Sequence, residues 1–280
     1  MTTIELQPHP IAPKELLRKA ASEEDTEHVY EEPGIYTVQG RPTIIYGRLQ
    51  GDYSRMLWAV RSLGYFPEVR SAPGGNIRDN AARGKLIGGK SRIFGFRPRV
   101  PYNPAANFCS ISSTGQEFPA QHKILCDLGE LLDALYSKAA PEVAEMHSEH
   151  LRGVRSEWIL PGTRFTSGIV NQNNPLRYHY DRGNFPGVFS CMVVFRNLCE
   201  GGFLSVPEFN CRFALEDQSY FLFDGQALLH GVTPIKKLNR NGYRYSVVYY
   251  ALKAMAKCGT LEQEISRARA EKRGREQRRV

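Results

Sequence analysis

His179 and Asp181 stand two positions apart in YHYDRGNFPG (Tyr178–Gly187), a short stretch bounded by glycine and proline. At a strand end or the turn after it, residues i and i+2 project to one side, so this imidazole and carboxylate can grip one ion. Two imidazoles and one carboxylate on one face of a ferrous ion leave the opposite positions open for oxygen and a cosubstrate. The third ligand must then come from another strand. His230 offers it: it ends the strand-like YFLFDGQALLH and is followed by Gly231, which permits close backbone approach. The chain has seven His. His147 and His150 fall on a helical stretch, His122 opens another, and His9 and His28 lie in polar N-terminal segments. Singly, the His-x-Asp pair also reads as an ordinary turn, and His230 as a histidine satisfied at a strand end.

Arg244 follows His230 by fourteen residues in YRYSVVYY, with Ser246 two positions on and facing the same way. A guanidinium fork and a hydroxyl suit the distal carboxylate of a dicarboxylic acid. The alternative for Arg244 is a half-buried pair with a local acid.

These residues must be held by a β framework. After Arg152, RFTSGIVN, GVFSCMVVFRN, GFLSVPEF, RFALE, SYFLFDG and YRYSVVYYALK are short β-branched and aromatic runs separated by Gly, Pro, Asn and Asp. Such a series indicates a sandwich or barrel. Before it, PKELLRKAASEED and GDYSRMLWAVRSLG read as helices. In PAQHKILCDLGELLDALYSKAAP, Ile124, Leu125, Leu128, Leu131, Leu132 and Leu135 keep helical spacing. A further helix follows over roughly Pro141–Leu151. Helices first and strands afterwards give an α+β chain. The expected domains are a flexible arm over 1–12, one catalytic domain over 13–255 and a basic tail over 256–280. Within that domain, 13–151 is expected to be helical and loop-rich, and 152–255 to be the β core. From Ser71 to Asn107 periodicity is weak and the reading is a long loop.

The 280 residues carry a net charge of +8 with 41% hydrophobic residues, ordinary for a globular protein, and hold no membrane-length apolar run. Charges interrupt the N-terminus where a signal peptide needs its apolar centre. The six Cys form no C-x-x-C pair and make no case for a disulfide framework. The expectation is an intracellular protein, cytoplasmic in a prokaryote or phage-infected cell and nuclear in a eukaryote. The charge is concentrated: Arg78–Arg99 holds seven Lys/Arg against one acid, and Lys253–Val280 nine against four. Two basic segments suit a polyanion such as nucleic acid, or are solvated surface and a solubilising tail.

From about Arg164 to Leu252 the chain resembles the catalytic core of Fe(II)/2-oxoglutarate dioxygenases. The resemblance rests on H-x-D, EGGFLSVPEF, FDGQALLHGV and R-x-S on the following strand. Within that superfamily it most resembles the TET/JBP family of DNA 5-methylpyrimidine dioxygenases, through R-x-S, FTSGIVNQNNPLRYHYD and the upstream GKSRIFGFRPR (Gly89–Arg99). The resemblance implies a double-stranded β-helix (jelly-roll) core buttressed by N-terminal helices. It implies iron ligation by His179, Asp181 and His230, and a grip by Arg244 and Ser246 on 2-oxoglutarate, with Asn171 as a further cosubstrate contact. Asn184, five residues after the first ligand, corresponds to a position that contacts the target base; its other reading is turn chemistry after Gly183.

The implied reaction consumes O2 and 2-oxoglutarate, releases succinate and carbon dioxide, and hydroxylates the 5-methyl group of cytosine or thymine in DNA. A duplex base must be flipped out to be reached. Arg83, Lys85, Lys90, Arg92, Arg97 and Arg99, interleaved with Phe94 and Phe96, are the expected DNA contacts. Phe185, Phe189 and Phe195 read either as apolar walls of the site or as core. Two other functions fit part of the pattern. One is a 2-oxoglutarate-dependent hydroxylase of a protein or small molecule; the other is a non-catalytic nucleic-acid-binding jelly-roll.

Overall fold

The structure is a computed structural model that describes residues 2–10, 13–64, 71–72, 75–76, 90–103 and 105–277. The chain opens with β1 (Thr2–Glu5), α1 (Pro13–Leu16), β2 (His28–Tyr30), β3 (Gly34–Val38), β4 (Arg41–Arg48) and α2 (Ser54–Arg61). It continues through β5 (Ser71–Ala72), β6 (Gly75–Asn76), β7 (Lys90–Arg97) and β8 (Ser110–Ile111). Three helices follow: α3 (Ser113–Glu117), α4 (Pro119–Ala139) and α5 (Pro141–Leu151). Next come β9 (Ser167–Gln172), β10 (Leu176–His179), β11 (Ser190–Asn197), β12 (Cys199–Gly201) and β13 (Leu204–Val206). The last strands are β14 (Cys211–Phe213), β15 (Ser219–Phe223), β16 (His230–Val232), β17 (Ile235–Lys237) and β18 (Tyr243–Tyr250), before α6 (Leu261–Gln277).

Among the described residues, nine strands form one sheet in the order β1-β3-β4-β15-β11-β18-β9-β7-β8, and five form another in the order β10-β16-β13-β14-β2. Tyr46, Met192, Val194 and Phe221 of the larger sheet pack with Leu204, Val206, Phe213 and Val232 of the smaller one in a shared core. The outer face of the larger sheet receives α4: Leu125, Leu128, Leu132 and Tyr136 pack on Val193, Phe195, Tyr245, Val247 and Tyr249. A sheet covered on both faces needs apolar residues on both, so β15 (SYFLF) is buried throughout. This is the expected α+β architecture, a jelly-roll backed by helices.

The N-terminal part departs from expectation. Residues 2–5 are strand β1, parallel to β3, rather than a loose arm. β3 and β4 complete the large sheet from before residue 152, joined at Gln39–Gly40, whose φ of 51° and 73° is the type I′ hairpin signature. The expected loop over 71–107 contains β7, paired antiparallel with β9. Its Phe94 and Phe96 turn toward the helical side while Ser91 faces the interior; cations and a kink at Gly95 (φ 75°) obscure that alternation in the sequence.

The C-terminal segment is the helix α6, fastened at its first turn. Glu264 is 1% exposed and accepts from the Arg99 guanidinium and from the backbone N–H groups of Cys109 (2.8 Å) and Gly259 (2.7 Å). Against expectation, Cys109 and Cys258 are joined in a disulfide beside this anchor. Cys126, Cys191 and Cys211 are buried free thiols in the core. No helix of the described residues is long and apolar enough to cross a membrane.

His147 on α5 is fully buried between Tyr136 and Phe165, and neither ring nitrogen has a hydrogen-bond partner. Burial, reinforced by the charges of Arg164 and His150, pushes its pKa down to about 3. An unfolded chain protonates this ring near pH ~6.5, so between the two values the unfolded state binds more protons and stability falls as pH falls. The loss between pH 7 and pH 4 is about 3 kcal/mol. We expect His147→Leu to flatten that acid limb in thermal melts at the two pH values; an unaltered pH dependence would contradict this.

Candidate active site

The strand pairing that brings the candidate ligands together is irregular. Leu176 pairs with Val232 and His179 with His230, so three steps on β10 oppose two on β16. This bulge puts His179 on the interior face beside His230, with ring centroids 4.3 Å apart. Asp181, just beyond β10, is tied by its N–H to the carbonyl of Gly225 at 2.7 Å. A Cβ on Gly225 would lie 2.3 Å from Asp181 Oδ2, so only glycine permits the carboxylate to sit there.

The result is a His179–Asp181–His230 cluster whose ligand atoms all lie within 4.8 Å of one another. Asp181 Oδ1 is 3.6 Å from His179 Nε2 and 3.9 Å from His230 Nε2, less than twice a typical metal–ligand bond of ~2.1 Å. Each Nδ1 meets a backbone carbonyl, that of Arg177 at 2.8 Å and that of Leu228 at 2.9 Å. In the neutral rings Nδ1 therefore carries the proton and both Nε2 lone pairs point at the common centre, the orientation seen in metal-ligating histidines.

Burial drives the His230 pKa down to about 4, so this ring is neutral and ready to ligate at neutral pH. Burial opposes the Asp181 carboxylate as well, but the His179 and His230 rings and the Ser190 hydroxyl outweigh it and hold its pKa below the ordinary value. Glu208 clamps both ligand segments, accepting from Tyr180 Oη at 3.1 Å and from the Leu229 N–H at 3.0 Å. Sequence reasoning missed this residue, although Glu208 stands in the EGGFLSVPEF stretch.

Along β18, Tyr245, Val247 and Tyr249 face the helices, so Arg244, Ser246 and Val248 face the interior. Arg244 is 1% exposed, and its Nε and Nη2 have no hydrogen-bond partner. No acid among the described residues is in ion-pair range of it, and burial lowers its pKa to about 10. Gly202 (φ 71°) makes room for the side chain: a Cβ there would lie 2.8 Å from Arg244 Cδ and Nε. A buried cation with two unused donors is costly unless an anion completes it. The alternative, a pair with a local acid, is not found among the described residues.

Beside Arg244 runs a chain of amides and hydroxyls. Asn171 is the cross-strand partner of both Ser246 and Ser91. Its Nδ2 donates to Ser246 Oγ (3.3 Å), and its Oδ1 accepts from Ser91 Oγ (2.5 Å) and Asn174 Nδ2 (3.2 Å). Asn174 Oδ1 is buried without a partner. Asn173 (φ 45°) grips the Arg244 backbone from both sides: Arg244 N–H donates to its Oδ1 and its own N–H to the Arg244 carbonyl, each at 2.7 Å. Ser91, Asn173 and Asn174 escaped sequence reasoning, although the run NQNN signalled a polar turn.

The remaining expected residues are distributed unevenly. Asn184 is buried and donates through Nδ2 to Ser190 Oγ at 3.2 Å, which links it to the Asp181 support. Phe189 and Phe195 belong to the helix-side core and Phe185 to a cluster with Cys109 and Cys258, so none walls the metal centre. Arg83 and Lys85 lie outside the described residues, and Lys90 is described only as the first residue of β7. Arg92 lies over the Phe118 ring at 4.9 Å and 3.5 Å from Glu117, and Arg97 is exposed, donating to Ser110 Oγ at 3.2 Å. Arg99, expected at DNA, instead neutralises Glu264, because a buried carboxylate requires a counter-charge.

The donor set fits a ferrous ion, and the unsatisfied guanidinium fits a dicarboxylate reaching toward it. Comparison with known proteins bears on the family. JBP2 of Trypanosoma brucei brucei, a bifunctional helicase and thymine dioxygenase, is 30% identical over 153 residues, 53% of this chain and 14% of that protein. JBP2 of Leishmania major is 36% identical over 121 residues, 42% of this chain and 10% of that protein. The chain thus corresponds to a small part of these relatives. The structure of NgTET1 in complex with 5mC DNA shares the fold, with a TM-score of 0.57 at 15% identity, covering 89% of this chain and 94% of that one. The Tet_JBP family, described as the oxygenase domain of the 2OGFeDO superfamily, matches residues 102–253. Those residues are more than half of the chain and enclose His179, Asp181, His230 and Arg244, so the chain belongs to the Tet_JBP family.

Proposed function

We propose that the protein is an Fe(II)/2-oxoglutarate-dependent dioxygenase that hydroxylates the 5-methyl group of a pyrimidine in DNA, converting 5-methylcytosine to 5-hydroxymethylcytosine or thymine to 5-hydroxymethyluracil. The observation that carries this reading is the His179–Asp181–His230 cluster, with both histidines buried and Asp181 half-buried, together with the unpaired guanidinium of Arg244. Bound iron would supply O2 activation coupled to oxidative decarboxylation of 2-oxoglutarate to succinate. The side chains of this protein supply the rest. His179, Asp181 and His230 hold the ion on one side, Arg244 and Ser246 orient the distal carboxylate, and the surrounding core excludes water. The JBP2 relatives are thymine dioxygenases and the fold neighbour was solved with methylated DNA, which favours a nucleic-acid base over a protein or small molecule. Arg97 is the described cation of the β7 segment that best suits a phosphate contact, and the base is expected to leave the stack to reach the site.

The test is anaerobic reconstitution with Fe(II), then incubation in air with 2-oxoglutarate and DNA containing 5-methylcytosine or only thymine, followed by mass spectrometry of the nucleosides. An oxidised nucleoside that disappears in His179→Ala is expected. Succinate release without a new nucleoside would redirect the reading to a protein or small-molecule hydroxylase.

A further inference from the structure

The C-terminal helix α6 sorts its charges by face. Glu264, Ala268, Glu271 and Gly274, at helical spacing, are its buried or half-buried positions among the described side chains, and both acids are occupied there: Glu264 by Arg99, Glu271 by Asn107 Nδ2 at 2.8 Å. Between Ile265 and Gly274 the exposed face carries Arg267, Arg269, Lys272 and Arg273 and no exposed acid. Among the described residues none of the four enters an ion pair.

A solubilising tail needs no fixed position, yet this helix is fixed. Glu264 accepts from three groups outside the helix, and the Cys109–Cys258 disulfide lies just before it. The helix adds almost no apolar surface to a core, with Leu261 and Ile265 themselves exposed, so burial of a hydrophobic face does not explain its docking. What the anchoring holds rigid is a set of four cations spread around the exposed arc of the helix. The set also has a definite place. Cys109 and Cys258 share a cluster with Phe185 and Val188, from the loop that follows Asp181, and Asn184 in that loop bridges to Leu252.

We propose that the exposed face of α6 is a second binding surface, for the phosphodiester backbone of the DNA duplex that flanks the target base. This rests on the DNA reading of the active site and deepens it: the metal centre takes the base, and α6 takes the backbone beside it. A phosphate backbone and a preformed cationic surface are complementary in charge, and each neutralised phosphate releases counterions. The contact is therefore independent of sequence and strongly salt-dependent.

The test measures binding of the full chain to a fluorescent duplex containing 5-methylcytosine between 50 and 200 mM salt. A variant combining Arg267→Gln, Arg269→Gln, Lys272→Gln and Arg273→Gln is expected to lower the slope of log K against log salt by more than ~0.9, the share of one phosphate contact. A variant with Arg267→Lys, Arg269→Lys and Arg273→Lys should keep the slope. A smaller fall than ~0.9 in the Gln variant, with its melting temperature preserved, overturns the proposal. A measurement on the unmodified chain stands apart from variant folding: acylation of Lys272 should slow at least about threefold when the duplex is added, and an unchanged rate overturns the proposal. Oxidised nucleosides with an unchanged slope would remove α6 and leave the active-site reading. A reduced slope without any oxidised nucleoside would do the reverse.

Discussion

Asp181→Asn is expected to leave the protein folded, to abolish tight Fe(II) binding, and to lower succinate production by at least ~10³-fold, a barrier increase of about 4 kcal/mol. The substitution preserves the size of the side chain beside Gly225 and the bond from the residue-181 N–H to the Gly225 carbonyl, so the local backbone has no reason to move. It removes the single negative charge that the cluster offers to a dication. Two neutral imidazoles remain, and a neutral amide oxygen is a much weaker third ligand than a carboxylate. The environment is arranged for that charge: His179, His230 and Ser190 together keep the carboxylate ionised despite its burial. Anaerobic calorimetry with Fe(II) and a succinate assay measure the two effects. An Asn variant that bound iron within threefold of the parent would refute the assignment of Asp181 as a ligand.

Arg244→Met should separate stability from function. In the apoprotein the guanidinium is buried with two unused donors and no counter-charge among the described residues, so an apolar side chain of similar length is expected to raise stability by about 1–4 kcal/mol. The same change removes the fork expected to hold the distal carboxylate of 2-oxoglutarate. Two charge-assisted hydrogen bonds contribute about 1.5–3 kcal/mol each, so half-saturation by 2-oxoglutarate should rise ~10²- to 10⁴-fold. Iron affinity should stay near the parent value, since the ligand residues are untouched. Melting of the apoprotein and a 2-oxoglutarate titration report the two signs. A variant that is destabilised and binds cosubstrate normally would show that Arg244 is a structural cation.

The candidate cluster was legible in sequence because its elements obey short-range rules: a strand-end pair at i and i+2, a strand-end His before glycine, and R-x-S on one face of a strand. The pairing that unites them was not, since the bulge between Leu176 and His179 depends on which residues of β16 lie opposite. The N-terminal strands were missed for a different reason. β3 and β4 are covered by other parts of the chain, so their pattern is nearly continuous burial rather than alternation, and the Gln39–Gly40 turn lacks the usual Asn-Gly or Asp-Gly signal. Arg99 illustrates the limit of counting charge: its partner Glu264 lies 165 residues away, and nothing local distinguishes it from Arg97. Gly202 and Gly225 were quoted in motifs as spacing, yet each is small because Arg244 or Asp181 occupies the space a Cβ would need.

The Cys109–Cys258 bond closes a covalent ring. His179, Asp181, His230 and Arg244 all lie within it, as do strands β8 to β18, whereas β1 to β7 and α6 lie outside it and are held by strand pairing and by the Glu264 contacts. A protease that cut one surface loop between residues 110 and 257 would open the ring without releasing a fragment, and the two pieces would part on a gel only after reduction. The part of the chain that carries the chemistry is thus topologically circular, with the α6 arm starting at the clasp.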